Sequence, residues 1–145
     1  MTERSGRVLA LDVGEARIGV AVSDPDRRVA VPAGAIRVVG GPQDLRAVAA
    51  IVREQEATEV VVGHPLTLSG DRGPAARRAE EFADGLRAFL EVPIRLHDER
   101  LTTVEAERDL RDAGVTGPER RRVIDQAAAT LILRGYLDRP EGAGG

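Results

Sequence analysis

Acidic side chains follow two apolar segments of this sequence, in positions where carboxylates could bind divalent metal ions. Asp12 comes directly after residues 8–11, and Asp98 and Glu99 come directly after residues 93–97. A carboxylate at the end of a buried strand is unfavourable unless a cation or hydrogen-bond donors meet it. A metal-ligand role is therefore one interpretation of these acids. The alternatives are a turn aspartate bonded to backbone amides for Asp12 and a solvated strand end for the other two.

A third candidate acid, Asp125, lies in the segment V-I-D-Q-A-A-A-T-L-I-L. On a helix its row continues through Ala128, Ala129 and Ile132, which indicates a surface packed closely against a sheet. A carboxylate at the start of a buried row is uncommon. This placement favours a functional role for Asp125, and the alternative is a boundary carboxylate paired with Arg121.

These acids together suggest a particular chemistry. Neighbouring residues on a strand point to opposite faces, so only one of Asp98 and Glu99 can share a site with Asp12. Hard oxygen ligands, with no cysteine and little histidine nearby, select Mg²⁺ or Mn²⁺. Two such ions roughly 4 Å apart bind the attacking and leaving oxygens of a phosphodiester displacement. A mixed sheet that brought Asp12, one acid of the pair and Asp125 together would thus suit a nuclease.

The elements that must position these acids are strands and helices that alternate after an opening three-strand meander. The pattern predicts strands at 8–11, 18–22, 29–39, 59–63 and 93–97. It predicts helices at 42–56 and 74–90, a third opened by the capping box at Thr102 and ending near Gly114, and a last one at 118–138. Pro32 and Gly34 indicate that the third strand is an edge strand or bulged. The expected fold class is α/β, with a mixed five-stranded sheet flanked by helices.

Composition narrows the class of protein further. The chain has 145 residues, no cysteine and a net charge of -3. The absence of cysteine excludes disulfides and thiolate metal sites. The negative net charge argues weakly against a dedicated nucleic-acid binder. No long apolar segment follows the N-terminus, so we expect no signal peptide or membrane anchor and a cytoplasmic protein. We expect one domain over residues 1–138 and a disordered glycine-rich tail over 139–145.

Arginines are the candidate substrate contacts. All 21 basic residues are arginine, which a GC-rich genome explains best, but arginine also suits bidentate phosphate contacts. We predict substrate binding by Arg17, Arg100, Arg120, Arg121 and Arg122. The last three could instead form a solvated helix face.

The polar loop at residues 64–73 follows a strand directly, and such loops tend to be functional or mobile. His64 at its start could act as a general base, although a lone histidine is more often structural.

Four segments of the chain resemble the YqgF/RuvX family, which is described as pre-16S rRNA nucleases and as Holliday junction resolvases. They are L-A-L-D-V-G-E-A-R-I-G-V-A-V-S-D, V-V-V-G-H-P-L, D-E-R-L-T-T-V-E-A and I-D-Q-A-A-A-T-L-I-L, in family order over residues 7–138. The resemblance implies a ribonuclease-H-like fold. It also implies an acidic site formed by Asp12, Glu99 and Asp125, with Asp98 as a further candidate.

The resemblance implies a nuclease that processes the 5′ end of pre-16S rRNA, acting on nucleic acid and on ribosomal precursor particles as a monomer or homodimer. Two departures weaken the junction-resolving alternative: Gly63-His64 stands where RuvC resolvases carry their second acid, and Arg122 and Ala128 stand where a further aspartate would lie one turn from Asp125. A non-catalytic RNA- or ribosome-associated module remains a rival. An actin-like sugar kinase is a weaker one, because it would need two such domains.

Overall fold

The computed structural model describes residues 5–101 and 118–139, with side chains for residues 5–100 and 127–139. The described strands are β1 Arg7–Val13, β2 Arg17–Ser23, β3 Ala30–Arg37, β4 Ala57–His64 and β5 Ile94–Asp98. The described helices are α1 Pro42–Glu54, α2 Pro74–Leu86, α3 Pro118–Leu137 and a short 3-10 helix, Glu99–Leu101. The helix predicted from the capping box at Thr102 and the tail beyond residue 139 lie outside the described residues.

The strands form one sheet in the order β3-β2-β1-β4-β5. β1 pairs antiparallel with β2 and parallel with β4, while β2–β3 is antiparallel and β4–β5 parallel. The predicted mixed five-stranded sheet is therefore confirmed. The central position of β1 explains why its first residues are apolar on both faces, as in strands covered by helices on both sides.

Alternation along β1 divides the interior into two cores. Leu9 and Leu11 pack with residues of α1 and α2, whereas Val8 and Ala10 pack with residues of α3. Burial of a leucine side chain contributes about 1.5–3 kcal/mol, so these cores hold the helices firmly on the sheet. We call the face of the sheet that α3 covers the α3 face. Asp12 follows Val8 and Ala10 in the alternation, so its side chain also lies on the α3 face.

The edge position predicted for the third strand is confirmed, because β3 is the outermost strand beside β2. Its pairing shifts between Val20↔Gly34 and Ala21↔Pro32, which leaves Ala33 as the extra residue of a bulge. Gly34 has φ +114°, a backbone conformation that side chains other than glycine's rarely adopt. Pro32 has no N–H to donate, and in the described sheet no strand pairs with the outer side of β3, so a proline is tolerated in this strand.

Two helices end earlier than predicted. α1 ends at Glu54 rather than residue 56, because Glu56 adopts φ 55° and turns the chain into β4. α2 ends at Leu86 rather than residue 90, where tighter turns such as Ala88 N to Gly85 O replace the α-helical hydrogen bonds. Among the residues that the structure describes, no helix combines the length and the apolar character needed to cross a membrane.

Candidate active site

Asp12 lies at the carboxyl end of the central strand and is almost completely buried, with 2% of its surface exposed. It faces Gly19 across the β1–β2 pair. Its side chain lies on the α3 face, beyond Val8 and Ala10. A buried carboxylate at the carboxyl end of parallel strands occupies the place where α/β sheets bind their ligands.

Glu99 reaches the same region from the 3-10 helix after β5 and is 5% exposed. Its carboxylate rests against Gly63 of β4: a Cβ on this glycine would lie 2.4 Å from Glu99 Oε2 and 2.5 Å from Ile132 Cδ1. The parallel pairing ends at Leu11↔Val62, so the next residues of the two strands are Asp12 and Gly63. Strands lie about 4.8 Å apart. The side chains of Asp12 and Glu99 therefore lie on the same face of the sheet, on either side of the end of β4 and β1.

Gly63→Ala is expected to disable this arrangement while the fold survives. The added Cβ would displace both the Glu99 carboxylate and Ile132, and overpacking of this kind typically destabilises a protein by about 1–3 kcal/mol. We expect a loss of cleavage larger than this destabilisation explains, measured by turnover and thermal unfolding. Gly85→Ala is the matched control, because its Cβ would meet Leu45 Cδ1 at 2.8 Å, away from the acids. Equal activity losses in the two variants would contradict a specific role for Gly63.

Asp98 points to the opposite face from Glu99 and is engaged in an ion pair. Its Oδ2 lies 2.6 Å from Nη2 of Arg100, and Arg100 Nε lies 3.0 Å from each carboxylate oxygen. The Arg100 guanidinium lowers the pKa of Asp98. Arg100 Nη1 also donates to the Leu68 carbonyl at 3.4 Å and so connects this corner to the loop at residues 64–73. Of the two predicted acids, Glu99 is the one beside Asp12, and Arg100 is held by Asp98.

His64 is held on the α2 side of the sheet. Its Nε2 lies 2.6 Å from Glu80 Oε2, and Arg72 donates to the same carboxylate from Nε at 2.8 Å and Nη2 at 2.5 Å. The bonds from Arg72 and then His64 lower the pKa of Glu80 from 4.5 to about 2. These contacts attach both ends of the loop to α2. They favour the structural interpretation of His64 over a general base beside Asp12.

A buried ionic cluster at the other end of the sheet fixes α3, and the sequence did not reveal it. Glu59, which is 7% exposed, accepts hydrogen bonds from Arg27 Nη1 at 3.0 Å, Arg95 Nε at 2.8 Å and the Tyr136 hydroxyl. Burial alone would raise the pKa of Glu59, but the Tyr136 bond and the two arginines lower it. Because Tyr136 lies near the C-terminal end of α3, this cluster attaches that end of the helix to β4. The preceding turns of α3 then extend along the sheet in the direction of Asp12.

The remaining predicted residues belong to β2 and to α3. Arg17 is the first residue of β2, and its Cα partner is Arg37. Arg120, Arg121, Arg122 and Asp125 belong to the first turns of α3, whose side chains lie outside the described part of the chain. Within residues 5–100 and 127–139, no group of three or more His, Asp or Glu side chains is arranged to hold a metal ion. The predicted third ligand, Asp125, is outside that part, two turns before Ile132.

The architecture matches solved structures of one fold class. Two structures of RuvC from Thermus thermophilus, one of them in complex with a Holliday junction substrate, superpose on 90% of this chain and 94% of theirs. Their TM-scores are 0.52 for the complex, at 16% identity, and 0.53 for the second structure, at 15% identity. This likeness shows the fold, so the chain is a ribonuclease-H-like α/β protein with a buried acid at the carboxyl end of its central strand.

The family follows from sequence comparison. A family model described as "RuvX: Holliday junction resolvase" matches residues 6–139. A relative from Roseiflexus sp. (strain RS-1) is 47% identical over 138 residues, covering 95% of this chain and 98% of the relative. A second, from Nocardia farcinica, is 53% identical over 140 residues, covering 92% and 78%. Both are named provisionally as pre-16S rRNA nucleases. The chain belongs to the RuvX family, and the resemblance found in its sequence is confirmed.

Proposed function

We propose that this protein is a metal-dependent nuclease that hydrolyses phosphodiester bonds in structured nucleic acid. The observation that carries the proposal is the pair of buried carboxylates, Asp12 and Glu99, on one face of the sheet. Neighbouring like charges raise each other's energy unless a cation lies between or beside them. A site of this kind is stabilised by a bound divalent cation, whereas an ordinary core position is not.

The residues present fit Mg²⁺ or Mn²⁺. The donor set contains only carboxylate oxygens, which hard divalent cations prefer. Gly63 leaves the space that the Glu99 carboxylate occupies. We propose Asp12, Glu99 and Asp125 as the ligands, with Asp98 serving to hold Arg100 and the adjoining loop. Bound ions would activate water and stabilise the leaving oxygen. The chain itself would orient the phosphate, hold the acids in place and limit the access of bulk water.

The substrate that we propose is the 5′ end of pre-16S rRNA. Relatives of about half identity over most of this chain carry pre-16S rRNA in their names. Ribosomal precursor particles and the cytoplasm are then the natural partner and location. Branched DNA is the second candidate, because the family description names Holliday junctions. It is less favoured because the positions three residues from Asp125 are Arg122 and Ala128, neither of which is an acid.

The proposal is tested with purified protein, a transcript spanning the 5′ end of pre-16S rRNA and a four-way DNA junction. We expect the transcript to be cleaved with Mg²⁺ or Mn²⁺ and to remain intact after exhaustive treatment with EDTA, because every proposed ligand is a carboxylate. Cleavage that survives chelation would contradict the metal model. Cleavage of the junction alone would support resolution instead. Binding without cleavage of either substrate under all conditions would indicate a non-catalytic module.

A further inference from the structure

Two arginines face each other at the end of the sheet that carries Asp12. Arg17 begins β2, Arg37 ends β3, and their Cα atoms are register partners in this antiparallel pair. Directly opposed residues of an antiparallel pair project to the same face, and opposed like charges destabilise the sheet. A guanidinium group carries a positive charge that an anion can offset. The arrangement is unfavourable unless an anion joins it.

No acidic partner for this pair is found among residues 5–100 and 127–139. The arginines in ion pairs there are others: Arg27, Arg72, Arg78, Arg87, Arg95 and Arg100. Arg37 is exposed and Arg17 is half-buried. Both guanidinium groups therefore lie where a ligand from solution can meet them.

The pair lies on the same face of the sheet as Asp12. Its neighbours Ile18 and Ile36 pack into the core beneath α1 and α2, so alternation places Arg17 and Arg37 on the α3 face. Asp12 is opposite Gly19, two residues along β2 from Arg17. Two residues of a strand span about 6.6 Å, which an arginine side chain readily covers. Arg17 is therefore within side-chain reach of Asp12 on the side away from β4, and Arg37 lies one strand further out.

We propose that Arg17 and Arg37 form an anion-binding subsite for a backbone phosphate that flanks the scissile phosphate. The inference rests on the proposed function in taking nucleic acid as the ligand. It assigns a direction to the bound strand, from Glu99 and Gly63, across Asp12, towards β2 and β3. Two guanidinium groups can each offer paired N–H donors to phosphate oxygens, and the phosphate charge cancels their mutual repulsion.

The test measures binding in EDTA, so that cleavage cannot interfere. The probes are the pre-16S rRNA transcript, the four-way DNA junction and short single strands in which one phosphate at a time is a neutral methylphosphonate. The proteins are the wild type, Arg17→Gln, Arg37→Gln, the double variant and Arg28→Gln. Arg28 is the matched control, because it is an exposed arginine in the turn at the opposite end of β2 and β3.

We expect the double variant to bind about tenfold or more weakly, with the slope of log affinity against log salt shallower by about one unit. Neutralising one particular phosphate should weaken wild-type binding and leave the double variant unaffected at that position. Arg28→Gln should behave as the wild type. Thermal stability of the Gln variants should be unchanged or raised, because a repulsive pair has been removed. If the double variant unfolds, the two single variants and a double lysine variant, Arg17→Lys with Arg37→Lys, replace it. We expect the double lysine variant to keep the salt slope of the wild type but to bind the probes more weakly.

An unchanged salt slope, or a methylphosphonate profile shared by the wild type and the double variant, would overturn the subsite. Absence of wild-type binding to every probe would overturn it as well. A phosphate profile that depends on Arg17 and Arg37, found in a protein that never cleaves with Mg²⁺ or Mn²⁺, would retain the subsite and reject the nuclease.

Discussion

Asp12→Asn is expected to abolish nuclease activity, with a loss of about a thousandfold or more in turnover, and to leave the melting temperature unchanged or raised. The side chain keeps its shape but loses the charge with which it would bind a divalent cation, a contribution of several kcal/mol to the transition state. Removing one of two neighbouring negative charges also relieves repulsion in the metal-free protein. Turnover, Mn²⁺ affinity and thermal unfolding measured on the same preparation check both halves of the expectation.

The matched control is Asp44→Asn, because Asp44 is also buried but serves a different purpose. Its two oxygens accept hydrogen bonds from the backbone amides of Val39 at 3.0 Å and Gly40 at 2.9 Å, and it is 6% exposed. An amide can replace only part of this pattern, so stability should fall by about 1–3 kcal/mol while turnover of the folded protein persists. If Asp12→Asn behaved in this way instead, Asp12 would be a structural turn aspartate.

Asp125→Asn is expected to have the second-largest effect: retained substrate binding, lost catalysis and little change in stability. Asp125 belongs to α3, two turns before Ile132, whose Cδ1 is among the atoms nearest to a Cβ built on Gly63. If it is a metal ligand, the asparagine removes the charge and keeps the volume. Turnover, metal affinity by calorimetry and thermal stability distinguish this role from the others.

Each other role of Asp125 has its own signature. A surface pair with Arg121 would change stability by less than about 1 kcal/mol and leave turnover intact. A buried structural carboxylate would show as loss of folding. Asp138→Asn is the control, because this acid lies just beyond the end of α3 and is exposed. It removes the same charge at the opposite end of the helix, so a general electrostatic effect would appear in both variants.

The local pattern of residues was sufficient to predict the elements and to single out Asp12 as a candidate acid. Runs of apolar residues marked all five strands, and the three helices described were each predicted from their spacing. Pro32 indicated an edge strand because a proline lacks the N–H that an inner strand must donate. Asp12 was recognisable because it ends a strand that is apolar on both faces. These inferences depend only on neighbours along the chain.

Tertiary structure decided which of Asp98 and Glu99 belongs beside Asp12. Both follow the same strand, and the sequence indicates only that one of them must face away. The 3-10 helix after β5 carries the Glu99 carboxylate over Gly63 of β4, while Arg100 holds Asp98. Gly63 was recognisable in the sequence only as part of a family segment, and nothing local indicated that it leaves space for a side chain 36 residues later in the chain.

The arginine pair and the Glu59 cluster show the same limit. Arg37 looks like any surface arginine in the sequence, and only the register of β2 with β3 places it opposite Arg17. Glu59 accepts hydrogen bonds from Arg27, Arg95 and Tyr136, and Tyr136 lies 77 positions away in the sequence. Backbone conformation and burial follow from local periodicity, so the sequence alone determined the elements, the sheet and the strand-end acid. Register and helix placement follow from packing between distant segments, so only the tertiary structure decided which charges meet.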